Sequence, residues 1–443
     1  MDRSSLVLPP RFQGESVSRP AVAIPPRFAN ATSQGRIRPR PQHPDALLST
    51  FSRVVRGEDV TVSRPSEAQT IEAYDIVTLV HLISCDTTTY NNNDFRTQGP
   101  TGSNPWNIVG QGRSFSVRRY PAGDRVEYDD YWRPSIALKT LRSCKQNSYV
   151  EKSFRYRSLI QELRILRHAP LERHPNLVRI TQLSWEPDEL NPGQFLPTIS
   201  TEYALYGSLK SFLATWEVSY VLRRHIILGV AEGLFALHQC SIVHADVKLD
   251  NVLIFPHDNE AYPFVAKLSD FGFAMDTSVG SSSSYQYMVG WTPLWAAPEA
   301  TQQLPRSQIY LTDVYSFGLL TWSVAQGGAD ILDMLSVFSE ELEQRYDKLD
   351  DLKQDNGLLD VALENIFGHS THLSQPECEE VAEILLYTLQ KEPSQRNLKL
   401  VIDLLRYKSS RECGVDTVVP IEYTNLKYID LSKVRLKSHN VPV

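Results

Sequence analysis

The chain has 443 residues, 42% apolar and 22% charged, enough to bury a sizeable core and too apolar for a wholly disordered or fibrous chain. Lys and Arg number 45 against 52 Asp and Glu, a net charge of −7, which excludes the basic balance of a dedicated nucleic-acid binder. Five scattered cysteines, Cys85, Cys144, Cys240, Cys378 and Cys413, form no closely spaced pair, so neither a disulfide framework nor a zinc site is expected. An intracellular setting, cytoplasmic or nuclear, is the simplest one.

No run of about 18 apolar residues is present, so no membrane span is expected, and the N-terminus lacks the apolar core of a secretory signal. Residues 1–65 are proline-rich, with few large aliphatic clusters, and are expected to be disordered. Within them Pro9-Pro10-Arg11-Phe12 recurs as Pro25-Pro26-Arg27-Phe28. Two copies could dock one partner twice; linker composition accounts for them more simply. Residues 66–102 carry a dense apolar set, Ile71 to Ile83, whose periodicity does not separate helix from strand. They read as an extension lying against the domain that follows.

From about 103 the pattern turns β-rich. Short strands are expected at Ile108-Val109, Ser116–Arg119 and Ser135–Thr140, then a charged amphipathic helix over 151–168. Strand character returns at Leu177–Leu183 and Thr198–Tyr203. Beyond 207 apolar residues recur at helical spacing, as in Ile226, Ile227, Val230, Leu234 and Leu237. The expected class is α+β, a small β-rich lobe followed by a larger helical one, with a ligand in the cleft between them. Residues 408–443 carry no motif and read as a surface extension.

Four motifs occur in order. Gly110 and Gly112 have the spacing that lets a strand-turn-strand backbone approach phosphates. Lys139 ends the apolar strand Ile136-Ala137-Leu138, where an ammonium can reach phosphate oxygens but needs a carboxylate partner if buried. Glu162 lies 23 residues further on, in the expected helix. In His244–Asn251, Asp246 can accept a hydroxyl proton, Lys248 can face a transferred phosphoryl group, and Asn251 can hold a metal. Short strands at Ile242-Val243 and Val252–Ile254 are expected to pin that loop. Finally, Asp270 in Asp270-Phe271-Gly272 is a hard oxygen ligand for Mg2+, and Gly272 is expected to supply the sharp turn that aims it.

These motifs resemble those of the eukaryotic protein kinase family over about 103–407. The match extends to His174–Val178, Ala297-Pro298-Glu299, Asp313–Gly318 and Arg396. The resemblance implies a bilobal fold, a small lobe over about 103–203 and a large one over 204–407. It also implies ATP with Mg2+, and a protein substrate that offers a Ser or Thr hydroxyl. In its terms Lys139 pairs with Glu162 and holds the nucleotide phosphates, Asp246 is the catalytic base, Lys248 neutralises the transferred group, and Asn251 and Asp270 bind the metal. The adenine would lie between Val109, Val117 and Ala137 above and Leu253 below. The backbones of Glu202 and Ala204 would contact it, with Thr201 as gatekeeper. Ile180, Leu166, Phe271 and His244 would form a stacked apolar spine.

Lys248 and Thr292 resemble the Ser/Thr pattern, and Tyr203–Leu209 with Asp313–Trp322 look most like the tyrosine-kinase-like group. Two departures stand out. Phe115 replaces the third glycine of the loop and is expected to make it bulkier near the phosphates. Ala245 replaces the Arg that pairs with an activation-loop phosphate in most of the family, although Ser278, Ser281–Ser284, Tyr285 and Tyr287 lie in that loop. The alternative to an active kinase is a pseudokinase that binds nucleotide or serves as a scaffold; it is set against the retention of all six polar site residues.

Overall fold

The computed structural model of the chain describes residues 107–412 apart from 112–113, 121–134, 144–148, 189, 194, 260, 279–283, 336–341 and 370–372. The expectations for 1–65, with its repeats, for 66–102 and for 413–443 lie outside the described residues, as do Gly112 and Ser281–Ser283.

Five antiparallel strands form the small lobe. They are β1 (Asn107–Gln111), β2 (Phe115–Tyr120), β3 (Ile136–Leu141), β4 (Ile180–Pro187) and β5 (Phe195–Glu202), in the order β1-β2-β3-β5-β4. One helix, α1 (Tyr149–Leu166), covers the sheet. Leu159, Ile160 and Leu163 share its inner face, as spacing of one and four residues dictates. They meet Phe115, Leu141 and Ile199 of the sheet in one buried core, while Arg157 and Arg164 remain on the exposed face.

The large lobe is helical. Its first helix, α2 (Leu209–Thr215), starts at Ser208, whose hydroxyl accepts from the Ser211 N–H at 3.3 Å, satisfying one of the donors a helix start leaves open. Next come α3 (Tyr220–Gln239) and four short strands: β6 (Ile242–Val243), β7 (Val252–Pro256), β8 (Phe264–Leu268) and β9 (Met275–Asp276). After β10 (Tyr285–Gln286) and β11 (Leu304–Pro305) come α4 (Tyr310–Ala325), α5 (Ile331–Met334), α6 (Leu342–Gln354), α7 (Gly357–His369), α8 (Gln375–Leu386) and α9 (Leu398–Glu412). From Leu311 to Ala325, α4 is buried on every side, the pattern of a helix inside a core. Both lobes lie within one compact unit. Thus the α+β, two-lobed architecture expected from the sequence is the one observed. No described helix is long and apolar enough to cross a membrane.

Candidate active site

The polar residues singled out by the sequence converge on the cleft from four elements. Lys139 projects from β3, whose neighbours are β2, through the Val117 pairing, and β5, through the Ile199 pairing. Its Nζ donates to both carboxylate oxygens of Glu162 on α1, at 2.9 and 2.6 Å, and to Oδ1 of Asp270 at 3.0 Å. Burial alone would favour a neutral amine. The two carboxylates outweigh it, and Lys139 is held protonated with its pKa raised. Burial likewise pushes the Asp270 carboxyl up, but the Lys139 ammonium, with His244 and Lys248 farther off, brings it below the usual range. Asp270 therefore stays ionised, with its side chain 49% exposed to the cleft.

The turn that aims Asp270 differs from the sequence expectation. Asp270 itself occupies the left-handed region, with φ 62°, a conformation that short polar side chains tolerate best after glycine. Gly272 has no such φ. Its requirement is steric, because a Cβ there would collide with Oγ of Ser158 on α1. The missing side chain thus lets α1 approach the strand-end loop, which brings Glu162 to Lys139. Between them Phe271 is fully buried, its ring 5.0 Å from that of His244. His244 Nε2 also lies 3.1 Å from the Ser269 carbonyl. Leu166 is buried and Ile180 packs on the small-lobe core.

The second constellation is the loop between β6 and β7. Asp313 of α4 fixes it from below, accepting from the His244 and Ala245 N–H groups at 2.7 and 2.8 Å. The expected flanking strands are present, β6 paired with β9 and β7 with β8. On this frame Asp246 Oδ2 accepts from Lys248 Nζ at 2.6 Å and from Asn251 Nδ2 at 2.8 Å. Its Oδ1 accepts from the Thr292 hydroxyl at 2.6 Å, and that hydroxyl accepts in turn from Lys248 at 2.8 Å. Below the loop Glu299 and Arg396 make a buried two-bond pair at 2.5 and 2.9 Å, tying the segment before α4 to the one before α9.

The nucleotide subsite also holds together geometrically. Ala137 pairs with Thr201, Val117 lies beside Gly110, and Leu253 is bridged to Ser208 just after β5. Val109, Val117, Ala137 and Leu253 are all left partly or fully exposed, so an apolar slot faces the cleft. The Glu202 carboxylate is occupied by Lys267, at 2.7 and 2.8 Å, and by the Arg179 N–H, and the Glu202 N–H donates to the Arg179 carbonyl at 3.2 Å.

The residues fit ATP and Mg2+. A Cβ at Gly110 would meet only Val117, at an ordinary 3.7 Å, so the protein's own packing does not demand glycine there, whereas a phosphate beneath the strand does. Asn251 donates both its amide hydrogens to Asp246, at 2.8 Å each, which turns its oxygen to the other side. Asp270 and that oxygen make a sparse set of ligands. It suits Mg2+, which is usually held by one or two carboxylates together with substrate phosphates.

Phe115 corrects a second expectation. Its ring does not enlarge the loop near the phosphates. It is 4% exposed and packs inward among Leu141, Leu159 and Leu163, because a buried aromatic ring gains far more than an exposed one. Ala245, with φ 67°, also faces inward. It joins Val243, Met275, Met288 and Leu304 in an apolar cluster against which Phe273 and Trp291 pack.

Sequence reasoning missed Lys267 as the partner of Glu202, and Ser158 and Phe273 as contacts between α1 and the 272–290 segment. Phe273 lies 6.1 Å from Phe154 of α1, ring to ring. These residues sit in ordinary amphipathic patterns, and no local signal marks them.

A family model of the protein kinase domain matches residues 109–415. The chain therefore belongs to the protein kinase family. Among curated relatives, it is 29% identical to the "Probable serine/threonine-protein kinase PBL8" of Arabidopsis thaliana, over 57% of this chain and 57% of that protein. It is 29% identical to the "Cysteine-rich receptor-like protein kinase 27" of the same plant, over 56% of this chain and 34% of that one. A third, the "Probable serine/threonine-protein kinase PBL10", is 35% identical over 35% of each chain. The matched region thus spans little more than half of the first relative and about a third of the other two.

Proposed function

We propose that the chain transfers the γ-phosphoryl group of ATP to Ser or Thr hydroxyls of a protein substrate. The observation that carries this reading is the bonding of Asp246. Its Oδ2 is saturated by Lys248 and Asn251, while Oδ1 has accepted one hydrogen bond, from Thr292. A carboxylate oxygen has two lone pairs, so Oδ1 retains one, beside a chain segment where a substrate hydroxyl can enter.

The acceptor O–H proton passes to Asp246. The oxygen then bonds to the γ-phosphorus as the bond from phosphorus to the β–γ bridging oxygen breaks, leaving ADP. Lys248 faces the charge that spreads over the transferred group, and Lys139, aligned by Glu162, holds the α- and β-phosphates. Mg2+, held by Asp270 and Asn251, supplies charge neutralisation when bound. Val109, Gly110, Gly112, Val117, Ala137, Leu253 and the backbones of Glu202 and Ala204 would enclose the nucleotide. The scaffold alternative gains no support, because all six polar residues are present and all are in direct contact within two clusters, Lys139–Glu162–Asp270 and Asp246–Lys248–Asn251.

The Ser/Thr choice is supported by the Lys248–Thr292 contact and by the names of the relatives. The tyrosine-kinase-like subgroup and a partner for the proline-rich repeats belong to the same proposal. So does an intracellular setting, supported by the free thiols of Cys240 and Cys378. The test is phosphate transfer from radiolabelled ATP to dephosphorylated casein by the purified chain. Transfer that depends on Mg2+ and disappears in Asp246→Asn is expected. Equal labelling by the variant would remove the assignment.

A further inference from the structure

Lys353 lies at the end of α6, far along the sequence from Asp246 and the other catalytic-site residues, and is only 3% exposed. A buried ammonium is costly unless it is paired. Among the described residues no carboxylate lies within salt-bridge distance of it. Its Nζ instead donates to the carbonyls of Pro293, at 3.1 Å, and Leu294, at 3.2 Å. Beside it Gln354 Nε2 donates to the Pro298 carbonyl at 2.9 Å. From α4, the Ser316 hydroxyl donates to the carbonyl between these, that of Trp295, at 2.7 Å.

Four carbonyls of one segment, which opens on a 3-10 turn at Pro293–Trp295, are thus held from beneath by side chains. That segment continues directly from Thr292, whose hydroxyl touches Asp246 and Lys248. It therefore adjoins the place where an acceptor hydroxyl would enter. An apolar side chain would serve stability at a buried position at least as well as an ammonium, so the contribution of the charge is orientational.

We propose that Lys353, assisted by Gln354, is a positioning residue for the protein substrate: it holds the Pro293 and Leu294 carbonyls and so sets the segment against which the polypeptide carrying the acceptor hydroxyl docks. The proposal rests on the phosphotransfer reading above. It concerns the polypeptide side of the site and leaves the nucleotide side untouched.

Steady-state kinetics of the full chain with dephosphorylated casein test it. Lys353→Met keeps the length of the side chain and removes its donors. The expected result is a KM for casein raised about tenfold, with KM for ATP and kcat within twofold of wild type and a melting temperature no lower. Lys353→Arg, which restores a cation with donors, should recover much of the loss, and Lys348→Met, on the exposed face of the same helix, should change nothing. Amide hydrogen exchange over 291–299 should be faster in Lys353→Met and unchanged over 244–251.

Parallel changes in both KM values, or a loss of activity that follows a loss of melting temperature, would overturn the proposal. So would wild-type behaviour of Lys353→Met in both kinetics and exchange. If the wild-type chain phosphorylates no casein, the phosphotransfer reading fails on that substrate. The exchange result then still decides whether Lys353 orders the segment.

Discussion

The Lys139 ammonium lies over the ring of Phe115, with Nζ 4.4 Å from the ring centroid. One side chain thus closes the small-lobe core and faces the cation that would hold the nucleotide, a geometry in which ring and charge attract. Truncation of a buried Phe leaves a cavity and costs about 3–5 kcal/mol. Phe115→Ala is therefore expected to lower unfolding stability by about that amount in a denaturant titration. A stability within 1 kcal/mol of wild type would mean that the ring sits at the loop tip instead.

Lys139→Met is expected to abolish transfer, since methionine offers neither charge nor donor to the phosphates. It should also destabilise the small lobe, because Glu162, 2% exposed, is left without its cation. Removal of one partner of a buried ion pair typically costs about 3–5 kcal/mol. The double variant Lys139→Met/Glu162→Gln should recover stability without recovering activity. Melting curves together with the transfer assay separate the two effects, and equal stability of the single and double variants would contradict the pairing.

Asp270→Asn keeps a residue that tolerates positive φ and removes the charge. Mg2+-dependent turnover should fall by at least a hundredfold, while nucleotide binding measured in EDTA changes little. Retention of Mg2+-dependent turnover would show that another group anchors the metal.

Activity should depend little on phosphorylation of the 272–297 segment. At the position of Ala245 the segment meets an apolar cluster with Met275, Met288 and Leu304, so packing replaces the phosphate–Arg pairing that orders such loops elsewhere. Phosphatase treatment, and replacement of Ser281–Ser284 by Ala, should each leave turnover within tenfold, about 1.4 kcal/mol in the barrier. A larger loss in both would point to Arg306, whose Nη1 already reaches the Thr277 carbonyl at 3.4 Å, as the cation that receives a phosphate.

Burial pushes the Lys353 ammonium down from 10.5 to about 8, with Asp350 opposing the shift. The folded state therefore disfavours the proton that the unfolded chain still binds. The resulting penalty is full below pH 8 and fades as pH rises towards 10.5, because stability increases wherever the unfolded state binds more protons. Its size at pH 7 is about 3 kcal/mol. Lys353→Met lacks this penalty. Its stability advantage over wild type should therefore shrink as pH is raised from 8 to 10, measured as the difference between paired melting curves. A difference independent of pH would show that Lys353 titrates normally.

The sequence alone determined the two-lobed order of strands and helices and the roles open to Asp246, Lys248, Asn251 and Asp270; the pairing of Lys139 with Glu162 came from the resemblance of its motifs to the protein kinase family. Those features rest on local periodicity and on residue types grouped in short motifs, and a linear reading captures both. Tertiary structure decided the rest. Whether Phe115 faces nucleotide or core depends on α1 lying over β2 and β3. Whether Gly272 is needed for its φ or for its missing Cβ depends on Ser158, which is 114 residues earlier. Lys353 reads as one more charge in a polar helix, Leu342–Gln354, until that helix packs against the 293–298 segment. The physical reason is common to all three: burial and hydrogen-bond partners are properties of surfaces brought together from distant parts of the chain, and no local pattern encodes which surfaces meet.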